Sequence, residues 1–211
     1  MSGRVGTVNI VLASASPRRS ELLARAGIVF EVVPSDAHER SAFSGENSRA
    51  YALELARLKA SAVALERPEA TVLAADTVVS VDGIILGKPR DPKDALCMLS
   101  LLSGGDHTVL TAVACQNSSR TTDACVSARV FMRSFSTDEA AAYVATAEPM
   151  DKAGSYAVQG DGGALVERIV GCHLTVVGLP LCRVMEMLDR PGEPADQREW
   201  CPFCAGRTRS F

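Results

Sequence analysis

Hydrophobic and polar positions fall into blocks whose period switches between that of a strand and that of a helix. Residues 8–13 are an apolar run that reads as a buried strand. It leads to Ser16 at a helix N-cap, Pro17 at the first helical position, Arg18 and Arg19 in the first turn, and a stop at Gly27. Residues 28–33 read as a second strand, broken at Pro34, and Ser35-Asp36-Ala37-His38-Glu39-Arg40 as a polar loop off its end. Residues 47–66 predict a helix, with Leu55, Leu58, Ala62 and Leu65 at helical spacing and Lys59 beside that stripe. Residues 71–75 are a fully apolar strand with Asp76 at its C-terminal end. Residues 78–81 and 84–86 then flank Asp82-Gly83, a strong two-residue hairpin signal.

In the second half, Asp91-Pro92 opens a helix with Ala95, Met98, Leu99 and Leu102 inward and Gly104 as its stop. Residues 107–115 and 122–132 read as a long antiparallel pair joined around Asn117-Ser118-Ser119. In the second arm Ala124, Val126, Ala128, Val130 and Met132 alternate with polar residues. Thr137-Asp138-Glu139 starts a helix reaching about Ala147. A loop over 149–163 carries Lys152, Gly154, Tyr156 and Gln159. Short strands at 164–170 and 173–177 and a last helix ending near Arg190 complete the pattern. Strands and helices alternate early, with an antiparallel insertion in the middle. This predicts an α/β protein with a mixed, twisted sheet flanked by helices. Residues 1–190 are expected to form one domain and 191–211 a polar tail containing Cys201 and Cys204.

Composition narrows the function classes. The chain has 211 residues, 47% hydrophobic and 22% charged, which is ordinary globular composition. A net charge of −3 supplies no broad attraction to a nucleic-acid polymer or a membrane, so phosphate binding has to rest on local Lys and Arg. No apolar run is long enough to span a bilayer, and the N-terminus lacks a signal-peptide pattern. Seven cysteines, five of them single within apolar text, fit a reducing compartment, and the expected location is cytoplasmic.

The stretch Ser14-Ala15-Ser16-Pro17-Arg18-Arg19 carries the first chemical signal. A helix N-terminus already presents unpaired N–H groups and the positive end of the dipole, so basic side chains belong better at the other end. Two arginines there fit either an awaited anion, phosphate being the commonest, or an exposed and solvated helix start. Polar residues at the ends of apolar elements extend the set: Ser14, Arg18, Arg19, Glu39, Lys59, Asp76, Thr77, Lys88, Lys152 and Gln159. Two carboxylates among several cations suit a polyphosphate held with a divalent metal. Carboxylates can ligate the metal or activate a water, and the cations offset charge on phosphoryl oxygens. Taken singly, each of these residues is better read as a solvated side chain or an ion-pair partner, and spacing alone does not make them converge.

Ala13-Ser14-Ala15-Ser16-Pro17-Arg18-Arg19-Ser20-Glu21-Leu22-Leu23 resembles the N-terminal signature of the Maf family of nucleoside triphosphate pyrophosphatases. The resemblance continues in order through Glu39, Leu55-Ala56-Arg57-Leu58-Lys59-Ala60, Ala75-Asp76-Thr77-Val78-Val79 and Leu86-Gly87-Lys88-Pro89. It runs on through Leu102-Ser103-Gly104 with His107, Asp151-Lys152-Ala153-Gly154-Ser155-Tyr156-Ala157-Val158-Gln159-Gly160 and Val176-Val177-Gly178-Leu179-Pro180-Leu181. It implies two lobes around a central cleft, a fold related to the inosine triphosphate pyrophosphatases, and a homodimer. It also implies cleavage between the α- and β-phosphates of a nucleotide, with Mg²⁺ or Mn²⁺. By the same resemblance Asp76 is the proton acceptor and a metal ligand, Glu39 a second metal ligand, and Arg18, Arg19, Lys59 and Lys88 phosphate ligands. Arg18, Thr77 and Gln159 resemble the branch that acts on dTTP and UTP, whereas the branch acting on 7-methyl-GTP usually has a bulky residue where Arg18 stands.

Other readings stay open at this point: 7-methyl-GTP or another noncanonical nucleotide as substrate, or a non-catalytic nucleotide sensor that restrains cell division. Two places depart from the family pattern. Gly171-Cys172-His173-Leu174-Thr175 replaces a stretch that often reads Gly-Ser-Tyr, and His173 there reads as a packed strand histidine. Cys201-Pro202-Phe203-Cys204 is half of a zinc or redox motif without a second half, which reads as an incidental or intermolecular tail feature.

Overall fold

Two long strands with nine residues in register, β3 (Thr71–Val81) and β5 (Asp106–Gln116), form the centre of the structure. The computed structural model describes residues 10–37 and 47–188. The remaining elements, in chain order, are β1 (Ile10–Leu12), α1 (Pro17–Arg25), β2 (Phe30–Val32) and α2 (Ser48–Glu66), then β4 (Ile84–Leu86) and α3 (Pro92–Leu102). They continue with β6 (Thr121–Met132), α4 (Thr137–Ala145), β7 (Val166–Gly171), α5 (His173–Val177) and α6 (Leu181–Met187). Among the described residues the strands make one mixed sheet of seven, in the order β2-β1-β3-β5-β6-β7, with β4 beside β3. β1 is parallel to β2 and β3; the other pairs are antiparallel. The expected mixed sheet between helices is what the chain forms.

Helices cover both faces. Val72, Ala74 and Val78 of β3 pack with Ala112 and Ala114 under Ala52, Ala56, Ala60 and Val63 of α2. Alanines on that helix let its backbone approach the sheet closely. On the opposite face Leu73 and Ala75 pack with Leu22 and Leu23 of α1, Leu174 and Val177 of α5, and Val184 of α6. A further cluster joins α3 and α4 to the other end of the sheet through Val79, Val109 and Val130. No helix among the described residues is long and apolar enough to cross a membrane.

Several expectations need correction. The buried stripe of α2 is Ala52, Leu55, Ala56, Ala60 and Val63, while Leu58 and Leu65 are exposed. The large leucines suggested one face; the close contact with the sheet selects the alanine face. Residues 71–81 are a single strand, so Asp76 stands mid-strand and not at a strand end. Residues 173–177 form a helix. Their β-branched run suggests a strand, but Gly171 (φ +117°) ends β7 and Gly178 (φ +118°) closes α5 in the left-handed region that glycine tolerates. His173 is therefore an exposed helix-start residue and not a packed strand histidine. The last helix stops at Met187, short of Arg190.

The pairing of β3 prepares the site. β1 accompanies it only as far as Leu73, with Ala13 N–H donating to Leu73 O at 2.8 Å, and β4 joins the same edge only from Val79. Among the described strands none pairs with that edge between these points. Asp76 and Thr77 sit in this gap on opposite faces of the strand, so a ligand entering the gap can meet both.

Candidate active site

The gap opens into a cavity of about 650 Å³. Its lining includes Ser14, Arg18, Arg19, Lys59, Asp76, Thr77, Lys88, Lys152 and Gln159, so every described residue picked out from the sequence converges there. Glu39, the expected second metal ligand, lies outside the described residues, as do Cys201 and Cys204. His173 does not line the cavity.

The α1 start is built differently from a simple capped helix. Ser16 occupies the N-cap but its side chain makes no capping bond. Ser14 Oγ instead accepts from Ser16 N–H at 3.2 Å and from Arg19 Nη1 at 3.0 Å. Arg19 also donates through Nε to Gly178 O at 2.9 Å and through Nη2 to Thr77 Oγ1 at 3.1 Å. One guanidinium thus joins α1, β3 and the end of α5, three elements far apart in sequence. Arg18 differs: its Nε is buried and makes no hydrogen bond within the described structure. The two arginines separate into one fixed to the scaffold and one whose polar group awaits a partner.

Asp76 is 6% exposed, and its Oδ1 accepts from Lys59 Nζ at 2.5 Å. Lys59 flanks the buried stripe of α2, so its stem follows the edge of the apolar face and its ammonium reaches Asp76 at the gap in the sheet. A buried carboxylate opposite a lysine at the floor of a cleft can accept a proton or ligate a hard cation.

One wall of the cavity comes from the 148–163 segment, a series of 3₁₀ turns held by buried and part-buried polar contacts. Tyr143 Oη accepts from Ala157 N–H at 3.1 Å, and Glu148 Oε2 from Gly162 N–H at 3.1 Å. Burial first, and the Glu148 carboxylate second, push the Tyr143 pKa up, so the phenol keeps its proton and donates to Glu148. His107 Nε2 and Tyr156 Oη lie 2.8 Å apart, and burial drives the pKa of His107, 2% exposed, down to about 4. Gly154 adopts φ +71° and donates to Gly87 O at 3.0 Å, tying this wall to the Lys88 loop. A Cβ at Gly154 would lie 2.9 Å from Val79 Cγ1. Lys152 pairs with Asp151, whose carboxyl is held below its usual range chiefly by Lys152 and further by Arg18.

Sequence reasoning did not single out Asp151 as a cleft residue, nor Thr111 and Thr175 behind Thr77. Asp151 stands next to Lys152 in a stretch rich in polar residues, a signal that was present. Thr111 is one of two threonines in the largely apolar strand β5, and nothing in the local pattern sets it apart. Only pairing across the sheet reveals its role.

Residues 9–191 match the family model described as Maf-like protein. The dTTP/UTP pyrophosphatase of Syntrophomonas wolfei is 48% identical over 183 residues, covering 86% of this chain and 96% of that protein. The dTTP/UTP pyrophosphatase of Salmonella typhimurium is 46% identical over 192 residues, covering 90% and 96%. The solved structure of the Staphylococcus aureus Ham1 protein is a distant likeness, with TM-score 0.45 and 16% identity over 59% of this chain and 71% of that one. A match over nearly the whole chain, together with a cleft that gathers the matched polar residues, shows that the protein belongs to the Maf-like family.

Proposed function

We propose that this protein hydrolyses dTTP and UTP between the α- and β-phosphates, releasing the monophosphate and pyrophosphate. The observation that carries the reading is the cleft itself. A buried Asp76 paired with Lys59 lines it together with Arg18, Arg19, Lys88 and Lys152. The names of the relatives, dTTP/UTP pyrophosphatases at 46–48% identity, point the same way.

In the proposed reaction a water attacks the α-phosphorus and gives its proton to Asp76, while pyrophosphate departs against the cations. Charge develops on the bridging oxygen and the phosphoryl oxygens as the bond breaks, and preplaced guanidinium and ammonium groups stabilise it most where water is excluded. The fixed guanidinium of Arg19 needs no reorganisation as the transition state forms. Lys59 holds Asp76 in place and keeps its lone pairs aimed into the cleft.

The donor set fits Mg²⁺ or Mn²⁺. Such ions are commonly held by one or two carboxylates, with phosphate oxygens and water filling the other positions. Asp76 would hold the ion here, joined by Glu39 in the family pattern. A bound ion would neutralise phosphate charge and lower the pKa of an attacking water. A homodimer and a cytoplasmic location belong to the same proposal, and sedimentation of the purified protein tests the first.

The test is product analysis over a panel of nucleoside triphosphates with Mg²⁺. Thymidine and uridine monophosphate with pyrophosphate are the expected main products. Release of orthophosphate would overturn the bond assignment, and a strong preference for 7-methyl-GTP would overturn the substrate.

A further inference from the structure

Thr77 meets the cleft through a hydroxyl whose proton is already committed. Thr111 lies directly opposite it on β5, fully buried, and does not line the cavity. Thr111 Oγ1 is 2.7 Å from the carbonyl oxygen of Thr175 in α5, and a carbonyl only accepts, so the single Thr111 proton goes there. Thr111 Oγ1 is also 2.9 Å from Thr77 Oγ1. With the Thr111 proton spent, Thr77 must be the donor in this pair. Arg19 Nη2 in turn donates to Thr77 Oγ1 at 3.1 Å. All bonds therefore run one way, from Arg19 to Thr77 to Thr111 to the Thr175 carbonyl. Along this path Thr77 has given its proton inward and can offer the cleft only a lone pair.

We propose that Thr111 is a positioning residue for nucleotide selection: it fixes the Thr77 hydroxyl as an acceptor, which aims Arg19 and, with the pyrimidine base seated against Thr77, requires a donor on the edge of the base that meets it. This deepens the function proposed above and rests on it for the identity of the substrate. Uracil and thymine carry an imide N3–H and meet that requirement. Cytosine has an unprotonated N3 at the same place and does not. A site whose buried polar groups are committed in one sense discriminates by leaving the wrong partner unpaired. Without Thr111 the Thr77 hydroxyl can turn its proton toward the cleft, and the requirement lapses.

The experiment compares kcat/KM for UTP and CTP in wild type, Thr111→Val and Thr111→Ser, with melting temperatures in parallel. Valine keeps the shape and removes the relay; serine keeps the hydroxyl. The expected result is a UTP-over-CTP preference that falls roughly tenfold in Thr111→Val, about one hydrogen bond's worth, and is retained in Thr111→Ser. A residue that served packing alone would lower the melting temperature without moving this ratio. An unchanged preference in Thr111→Val, or an equal loss in Thr111→Ser, overturns the proposal. A wild type that turns over neither dTTP nor UTP overturns the substrate reading instead. The three proteins are then compared on the nucleotide the wild type does use, where an unaltered KM in Thr111→Val overturns the relay.

Discussion

Lys59 Nζ lies 2.5 Å from Asp76 Oδ1, and the two side chains come from different layers of the fold, a helix and the strand beneath it. The pair is mostly shielded from solvent, with side-chain exposures of 14% and 9%. Removing the lysine would leave a carboxylate buried without its cation, which costs far more than losing an exposed pair. Lys59→Met is expected to lower stability by up to about 3 kcal/mol and pyrophosphate release by at least about tenfold. Thermal melting and initial rates with dTTP check the two effects separately.

The two adjacent arginines should respond differently. Arg19 is bound to Gly178 O, Ser14 Oγ and Thr77 Oγ1 through a planar fork that lysine cannot reproduce. Arg19→Lys should therefore reduce both melting temperature and kcat/KM, the latter by roughly tenfold or more. Arg18, with its Nε unpartnered, should tolerate Arg18→Lys with stability changed by less than about 0.5 kcal/mol while KM rises. Equal losses of stability in the two variants would show that the hydrogen bonds of Arg19 do not distinguish it.

His107 makes stability depend on pH. Its folded-state pKa, about 4, lies below the ordinary value of 6.5, so the unfolded chain binds a proton in the interval between them and the folded chain does not. Stability is then full above pH 6.5 and falls as pH drops toward 4, by up to about 3 kcal/mol. The carboxylates held low by arginine and lysine partners, Asp94 and Asp151 among them, lose stability in a more acidic window, below their own unfolded values. His107→Gln keeps a polar group opposite Tyr156 Oη but cannot titrate. Melting temperatures taken between pH 7.5 and 5 should slope downward clearly less in the variant than in wild type, the remaining slope coming from groups such as His173, whose pKa partial burial also lowers. Parallel slopes would remove His107 from the account.

Much of this arrangement was legible in the sequence, and the misreadings share a cause. Ser14, Arg18, Arg19, Lys59, Asp76, Thr77, Lys88 and Gln159 stand out because polar residues at the edges of apolar runs are where α/β proteins expose chemistry. The fold class followed from alternating periods, and the Asp82-Gly83 hairpin from its turn residues. What local pattern could not supply was pairing. Asp76 reads as a strand end because it closes the apolar run over 71–75, although β3 itself continues to Val81. Residues 173–177 carry a strand-like composition, but glycines on either side and a covered core face turn them into a helix. Thr111 became informative only when the sheet register set it opposite Thr77.

Gly154 supports the wall that carries Lys152 and Gln159. A side chain there would combine the strain of a left-handed backbone at φ +71° with a contact of 2.9 Å to a Val79 methyl. Gly154→Ala is expected to cost about 1–3 kcal/mol and to weaken nucleotide binding through displacement of Lys152. Denaturant unfolding together with KM for dTTP checks both. A variant as stable as wild type would show that the wall shifts without cost.

In the proposed mechanism Asp76 is the proton acceptor or metal ligand of a pyrophosphate-releasing reaction. The most direct test of this role is the initial rate of pyrophosphate release from dTTP with Mg²⁺ by wild type and by Asp76→Asn, with circular dichroism confirming that the variant is folded. Asparagine keeps the size of the side chain and removes its charge and basicity, so the rate should fall by about 10²–10⁴-fold while KM changes far less. A folded Asp76→Asn protein that releases pyrophosphate at the wild-type rate would contradict the account.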